Sequence, residues 1–206
     1  MLLSIHPENP QPRLLQQVVN TLKQGGVIIY PTDTIYGLGC DINNKEAFER
    51  ICRIKNIVPK TAQFSFICND LSHLSDYAAS VDTPIFRLLK AALPGPYTFI
   101  LKASKTVPKT LKTKKDTVGI RVPDAPIAQE LVKMLGHPIM SVSLPMAVED
   151  VAYYTDPEVI HEEFGNLADL VIDGGFGGIT PSTVIDCTSG NPELNREGAG
   201  DWKKLL

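Results

Sequence analysis

The sequence predicts an α/β protein, a layered sheet with helices packed against it, in a single domain spanning residues 1–206. Two patterns carry this expectation. Apolar residues recur at helical spacing in several segments, and short apolar, β-branched runs fall between those segments. The junctions add a third observation, because turns rich in Gly, Thr, Ser and Pro adjoin the apolar runs.

The elements follow in order along the chain. Leu14, Leu15, Val18, Val19 and Leu22 share one helical face, and Gly25-Gly26 supplies a stop. Residues 27–30 read as a buried strand ending at Pro31. Asn43 and Glu46 are spaced as a capping box for a helix reaching Ile54, with Phe48, Ile51 and Cys52 on its apolar face. A strand is expected at 64–68, a helix at 71–77, and a helix at 84–92 that Asp82 or Thr83 would cap. Strands follow at 97–102 and 117–122, then a helix at 126–135 stopped by Gly136. A strand at 139–143, a helix near 157–164, and strands at 170–172 and 183–186 complete the series. No repeat, linker or low-complexity segment interrupts it.

Bulk properties exclude several classes. Hydrophobic residues make up 43% and charged residues 21%, an ordinary globular composition. No apolar run approaches the ~20 residues of a membrane-spanning helix, so no membrane partner is expected. The N-terminal residues lack the basic flank and apolar stretch of a secretory signal, and the cytoplasm is the expected location. Cys40, Cys52, Cys68 and Cys187 are far apart and lie in apolar sequence, so they read as core thiols. With the histidines equally scattered, no metal site is expected. A net charge of −3 does not suit a whole-protein nucleic-acid binder. One strip differs: Lys105, Lys109, Lys112, Lys114 and Lys115 run without an acidic residue until Asp116. Such a strip either steers phosphates or forms a solvated lysine face.

The candidate site begins at PTDTIYGLG (31–39), directly after a buried strand, where ligands dock in open α/β sheets. Thr32, Thr34 and Tyr36 supply hydroxyls, and Gly37 and Gly39 permit close backbone approach. Thr98 after Pro94-Gly95-Pro96, Ser141 and Ser143 at a strand end, and Ser182 and Thr183 after Pro181 have the same character. Linings of this kind cradle phosphate or carboxylate without a metal cage. Lys55, Arg121 and Arg196 supply cations. Arg121 sits in an apolar strand, which requires either a structural ion pair or an anionic ligand.

In order and spacing, PTDTIYGLG, PGPYTFIL (94–101), GIRVP (119–123), SVS (141–143) and PSTVID (181–186) resemble the YrdC/YciO family of threonylcarbamoyl-AMP synthases. The resemblance runs from the first helix to Arg196-Glu197-Gly198, and RICRIK (50–55) points to the YciO branch. It implies a twisted, mixed parallel and antiparallel sheet with packed helices around a large concave cleft. It also implies a nucleotidyltransferase that condenses L-threonine, bicarbonate and ATP, with Mg²⁺ accompanying the nucleotide, for a tRNA modification.

By resemblance, Thr32 and Arg121 hold the threonine, while Thr34, Tyr36 and Thr98 line its pocket. Lys55, Ser141, Ser143, Ser182, Thr183 and Arg196 face the nucleotide. No dedicated catalytic residue is assigned, since carbamate attack on an α-phosphate needs positioning and charge neutralisation above all. Two motifs depart from the family's active enzymes: Ile57 stands where KxR has its arginine, and Pro145 where SxN has its asparagine. Two alternatives accompany the synthase reading. One is a protein that binds double-stranded RNA or tRNA through the lysine strip, and the other is an enzyme acting on a different acid or nucleotide. Oligomeric state is left open.

Overall fold

Side chains alternate across a strand, so the register between strands decides which residues share a face. The computed structural model describes residues 1–58, 64–108, 116–145 and 154–205. Within them, strands β1 (Leu2–Ser4), β2 (Ile28–Tyr30), β3 (Gly37–Asp41), β4 (Ser65–Ile67), β5 (Tyr97–Lys102), β6 (Thr117–Arg121), β7 (Ile139–Ser143), β8 (Leu170–Asp173), β9 (Thr183–Asp186) and β10 (Glu193–Arg196) form one sheet. Its order is β1-β8-β2-β3-β7-β4-β6-β5-β9-β10. The pairs β1–β8, β2–β8, β4–β6 and β5–β9 are parallel; β2–β3, β3–β7, β4–β7, β5–β6 and β9–β10 are antiparallel. The helices are α1 (Pro12–Lys23), α2 (Lys45–Ile54), α3 (Leu74–Tyr77), α4 (Thr83–Ala92), α5 (Pro126–Leu135) and α6 (Pro157–Phe164). None of the described helices is long and apolar enough to cross a membrane.

Local chemistry explains most boundaries. Pro126 opens α5, where its missing N–H is no loss, and Gly136 closes it in the left-handed conformation at φ 85°. α2 is capped one residue later than the capping-box spacing suggests: the Asn44 side chain accepts a 2.9 Å bond from the Ala47 N–H. The helix expected at 71–77 shrinks to α3, because the Asp70 carboxylate captures the Ser72 N–H at 2.7 Å and holds a turn instead. Three strands escape the sequence pattern. β3 is glycine-rich and reads as a loop, yet β2 and β7 pair with it on both sides. β10 is exposed throughout and shows no apolar alternation, and β1 is only three residues long.

The register builds two contrasting rows. On one face Cys40, Met140, Phe66, Ile120, Phe99 and Ile185 stand side by side across six strands, each no more than 1% exposed. α2, α4 and α6 contribute Phe48, Ile51, Ile85, Leu89 and Ile160 to this larger core. On the opposite face the neighbouring row is Gly39, Ser141, Ser65, Gly119, Ile100 and Asp186. α1 and α5 cover that face at one end, packing Leu15, Val18, Leu22, Ile127 and Leu131 with Ile28, Tyr30 and Ile139. Farther across, Ser65, Ile100, Val184 and Asp186 stay half-buried.

The glycines of β3 serve this arrangement. The Tyr30 ring lies over Gly37 and Gly39, and a Cβ on Gly39 would sit 2.8 Å from Ile139 Cγ2 and 2.9 Å from Tyr30 Cε1. Gly37 and Gly39 therefore admit a neighbouring side chain, which corrects the expectation that they let a ligand approach the backbone. Gly39→Ala is expected to destabilise the fold by ~1–3 kcal/mol through overpacking, read as a lowered urea midpoint with unchanged slope.

Candidate functional site

The loop after β2 is tied by its own threonines. Thr32 Oγ1 donates to the Ile35 carbonyl at 2.7 Å and accepts from the Thr34 N–H at 3.1 Å. Arg121, at the end of β6, reaches this loop. Its Nη2 donates to Thr32 Oγ1 at 3.0 Å, to Thr34 Oγ1 at 2.7 Å, and to Asp33 Oδ1. The second Asp33 oxygen accepts from the Asp124 N–H at 3.1 Å. The Arg121 and Asp33 side chains are only 10% and 9% exposed. The ion pair that an arginine in an apolar strand requires is thus present, while Arg121 Nε is buried and has no partner among the described residues. Among the described residues, Nη2 carries two protons for three acceptors, and Nε carries one for none.

A second cluster forms where β5, β9 and β10 meet. Thr98 and Ser182 share a 2.8 Å hydroxyl contact, and Arg196 Nη2 donates to the Ser182 carbonyl at 2.8 Å. Burial, and after it the nearby charge of Arg121, holds the Arg196 pKa below its ordinary value. Lys55, just past α2, donates to the Leu144 carbonyl at 2.8 Å, and burial lowers its pKa. Among the described residues, neither Lys55 nor Arg196 meets a carboxylate. Lys55 is half-buried and Arg196 lies on an exposed strand, and cations with only neutral acceptors among the described residues suit an anion.

Strand alternation puts Arg121, Thr98, Ser141, Ser143 and Ser182 on one face of the sheet, the face of the Gly39–Asp186 row. Ser143 is exposed at the end of β7, whereas Ser141 is buried and accepts a 2.7 Å bond from the Tyr30 hydroxyl. Burial pushes the Tyr30 pKa up to about 12, so this phenol stays a neutral donor. Two expected site residues face elsewhere. Thr183 lies on the Phe99 face and donates to the Gly200 carbonyl at 2.6 Å, which braces the C-terminal segment. Tyr36 is fully buried in the larger core, and its hydroxyl donates to the Gly175 carbonyl at 2.7 Å. Its role is to hold the loop after β8 against the loop after β2, a link completed by the Gly178 N–H bonding the Thr34 carbonyl at 2.6 Å. Lys105 is exposed, while Lys109, Lys112, Lys114 and Lys115 lie outside the described residues.

Sequence reasoning singled out neither Asp33 nor Tyr30. Asp33 lies inside the quoted motif, and an unpaired arginine in a strand was the available signal that a carboxylate had to lie near. Ile57, in place of the family's second cation, packs against the larger core. Pro145 directly follows the carbonyl that Lys55 binds, so the two motif departures lie at one junction.

This geometry defines a mixed-sheet α/β protein with a hydroxyl-lined, cationic face and no cluster of three or more metal-ligating side chains among the described residues. The chain belongs to the Sua5/YciO/YrdC family, whose model, described as telomere recombination, matches residues 20–198. It is 49% identical over 203 residues to the uncharacterized protein YciO of Escherichia coli K12, covering 98% of this chain and 97% of that protein. It is 33% identical over 187 residues to a threonylcarbamoyl-AMP synthase of Vibrio vulnificus, covering 89% and 98%. The crystal structure of E. coli YciO superposes with a TM-score of 0.91 at 48% identity, covering 100% of this chain and 99% of that one. Pyrococcus abyssi Sua5 complexed with L-threonine superposes with a TM-score of 0.87 at 25% identity, covering this whole chain and 59% of that one.

The lowered Lys55 pKa has a measurable consequence. Its anion-binding form is the protonated one, so tripolyphosphate affinity should begin to fall at a lower pH than an exposed lysine would allow. Calorimetric titrations between about pH 7 and 10 check this. Lys55→Met should bind more weakly at the lower end and lose most of that pH dependence.

Proposed function

We propose that this protein is a threonylcarbamoyl-AMP synthase-like nucleotidyltransferase, acting on L-threonine, bicarbonate and MgATP. The observation that carries the reading is the meeting of Thr32, Thr34 and Arg121 on the same sheet face as Thr98, Ser182 and Arg196. In this reading Arg121 binds the amino-acid carboxylate, and the threonine hydroxyls of the loop after β2 orient the rest of the acid. Lys55, Arg196, Ser143 and Ser182 neutralise and position the phosphates.

The chemistry suits these groups. A carbamate oxygen of the N-carboxylated threonine attacks the α-phosphorus, the bond to the bridging oxygen breaks, and pyrophosphate leaves. Fixed donors aimed at the phosphates lower that barrier without a protein nucleophile. The L-threonine complex of the P. abyssi Sua5 neighbour supports the choice of amino acid. With Ile57 and Pro145 in place of a cation and an amide, each missing charge-assisted contact costs roughly 1.5–3 kcal/mol. Turnover is therefore expected to be slower than in relatives with complete motifs, by about tenfold per 1.4 kcal/mol.

The test is pyrophosphate release with ATP, Mg²⁺, bicarbonate and L-threonine. Release that depends on threonine is expected, and Arg121→Lys should raise the half-saturating threonine concentration by at least about tenfold, because lysine cannot reproduce the planar fork. Two outcomes overturn the reading. The first is absent release together with salt-sensitive RNA binding that is lost on neutralising Lys112, Lys114 and Lys115. The second is turnover indifferent to threonine.

A further inference from the structure

The sheet ends in a strand that carries its own complement. β10 is last in the strand order and keeps all four residues exposed, Leu194 at 41%. Among the described residues it pairs only with β9, so one row of its backbone N–H and C=O groups is open to another extended chain. Along an unbroken strand Glu193 and Arg196, three positions apart, would point to opposite faces. The register shift between Leu194 and Arg196 absorbs one residue. Glu193 therefore lies opposite Asp186 and Arg196 opposite Val184, both on the candidate-site face, while Leu194 stands opposite Ile185 on the core face. Glu193 thus faces a like charge within its own sheet, an unfavourable pair. Arg196 spends Nη2 on the Ser182 carbonyl and meets no carboxylate among the described residues, although its guanidinium has other N–H groups.

These features fit one partner, a second copy of the same strand. Two identical antiparallel strands related by a two-fold axis normal to their sheet place one residue opposite itself and exchange its neighbours. With Leu194 on the axis, the exposed apolar side chain meets its own copy, and each Glu193 lies opposite the partner's Arg196. Two opposite-charge pairs then form on one face and one apolar pair on the other, and each Glu193 gains the cation that Asp186 denies it. The neighbouring centrings lose this: Glu193 on the axis sets two carboxylates face to face, and Arg196 on the axis sets two guanidinium groups face to face. Charges and bulges on an edge ordinarily discourage strand addition. On β10 they restrict it to the strand's own sequence. We propose that β10 is a self-association edge, through which two copies of this chain join their sheets antiparallel, Leu194 against Leu194 and Glu193 against Arg196.

The experiment is sedimentation velocity of the full chain across a concentration series at low ionic strength. A four-residue edge buries less than the ~1,200 Å² of a standard interface, so the native protein should pass from monomer to dimer as its concentration rises to about 1 mM, and salt should weaken the dimer. Glu193→Arg and Arg196→Glu should each weaken self-association by at least about tenfold, since like charges then face each other. Their equimolar mixture should restore it as a heterodimer, because one variant carries two cations and the other two carboxylates at the facing positions. A native protein that stays monomeric throughout overturns the proposal. So do variants that dimerise like the native chain, and so does a mixture of two folded variants that stays monomeric. Should Arg196→Glu lose its cooperative melt, Leu194→Asp decides in its place: it sets two carboxylates on the axis, and dimerisation at native strength then overturns the proposal.

Discussion

The constraint on which this structure depends is the registered pairing of six strands with opposite chemistry on their two faces. One row, from Cys40 to Ile185, is sealed against helices, and the adjacent row, from Gly39 to Asp186, is built of small and polar residues with one isoleucine. Neither row would survive a slip. Moving any one strand by a single residue would turn its residue of the sealed row outward and its residue of the other row inward. Burying a phenylalanine or isoleucine stabilises by about 1.5–3 kcal/mol, so the apolar row holds the polar one in place.

That rigidity is what allows two charges to be buried beside a loop. Removing one partner of a buried pair costs about 3–5 kcal/mol, since the other is left uncompensated. Arg121 is held by β6, Asp33 is held to the chain just beyond that strand through the Asp124 N–H, and the loop carrying Asp33 is cross-tied by Thr32. Among the described residues, Arg121 Nε meets no acceptor, and Lys55 and Arg196 meet only neutral ones. Buried polar groups are ordinarily paired, so the Arg121 Nε donor stands out.

The main elements were legible because their signals are local. α1, α5 and the strands around Phe66, Phe99 and Ile120 follow from apolar spacing, with proline and glycine at the helix ends. β3 was not legible, because its glycines serve the ring of a residue on the next strand and not a turn. β10 was hidden for a different reason: an exposed edge strand buries nothing and shows no alternation. Within the site, Thr32, Thr34 and Arg121 could be listed from their motifs, but Tyr36 and Thr183 carry the same hydroxyl chemistry and are spent on bracing loops.

By itself the sequence determined the α/β class, the helix ends marked by proline and glycine, and the set of hydroxyls and cations from which a site for anions could be assembled. Only the tertiary structure decided which of them meet. A side chain one position along a strand points to the opposite face, so Ser182 faces Arg196 and Thr98 while Thr183 turns toward Gly200. The partner of Arg121 lies 88 residues away at Asp33, a distance over which no local pattern operates. Charge pairing of this kind arises from chain topology and strand register, and these are settled by the burial of the apolar row on the other side of the sheet.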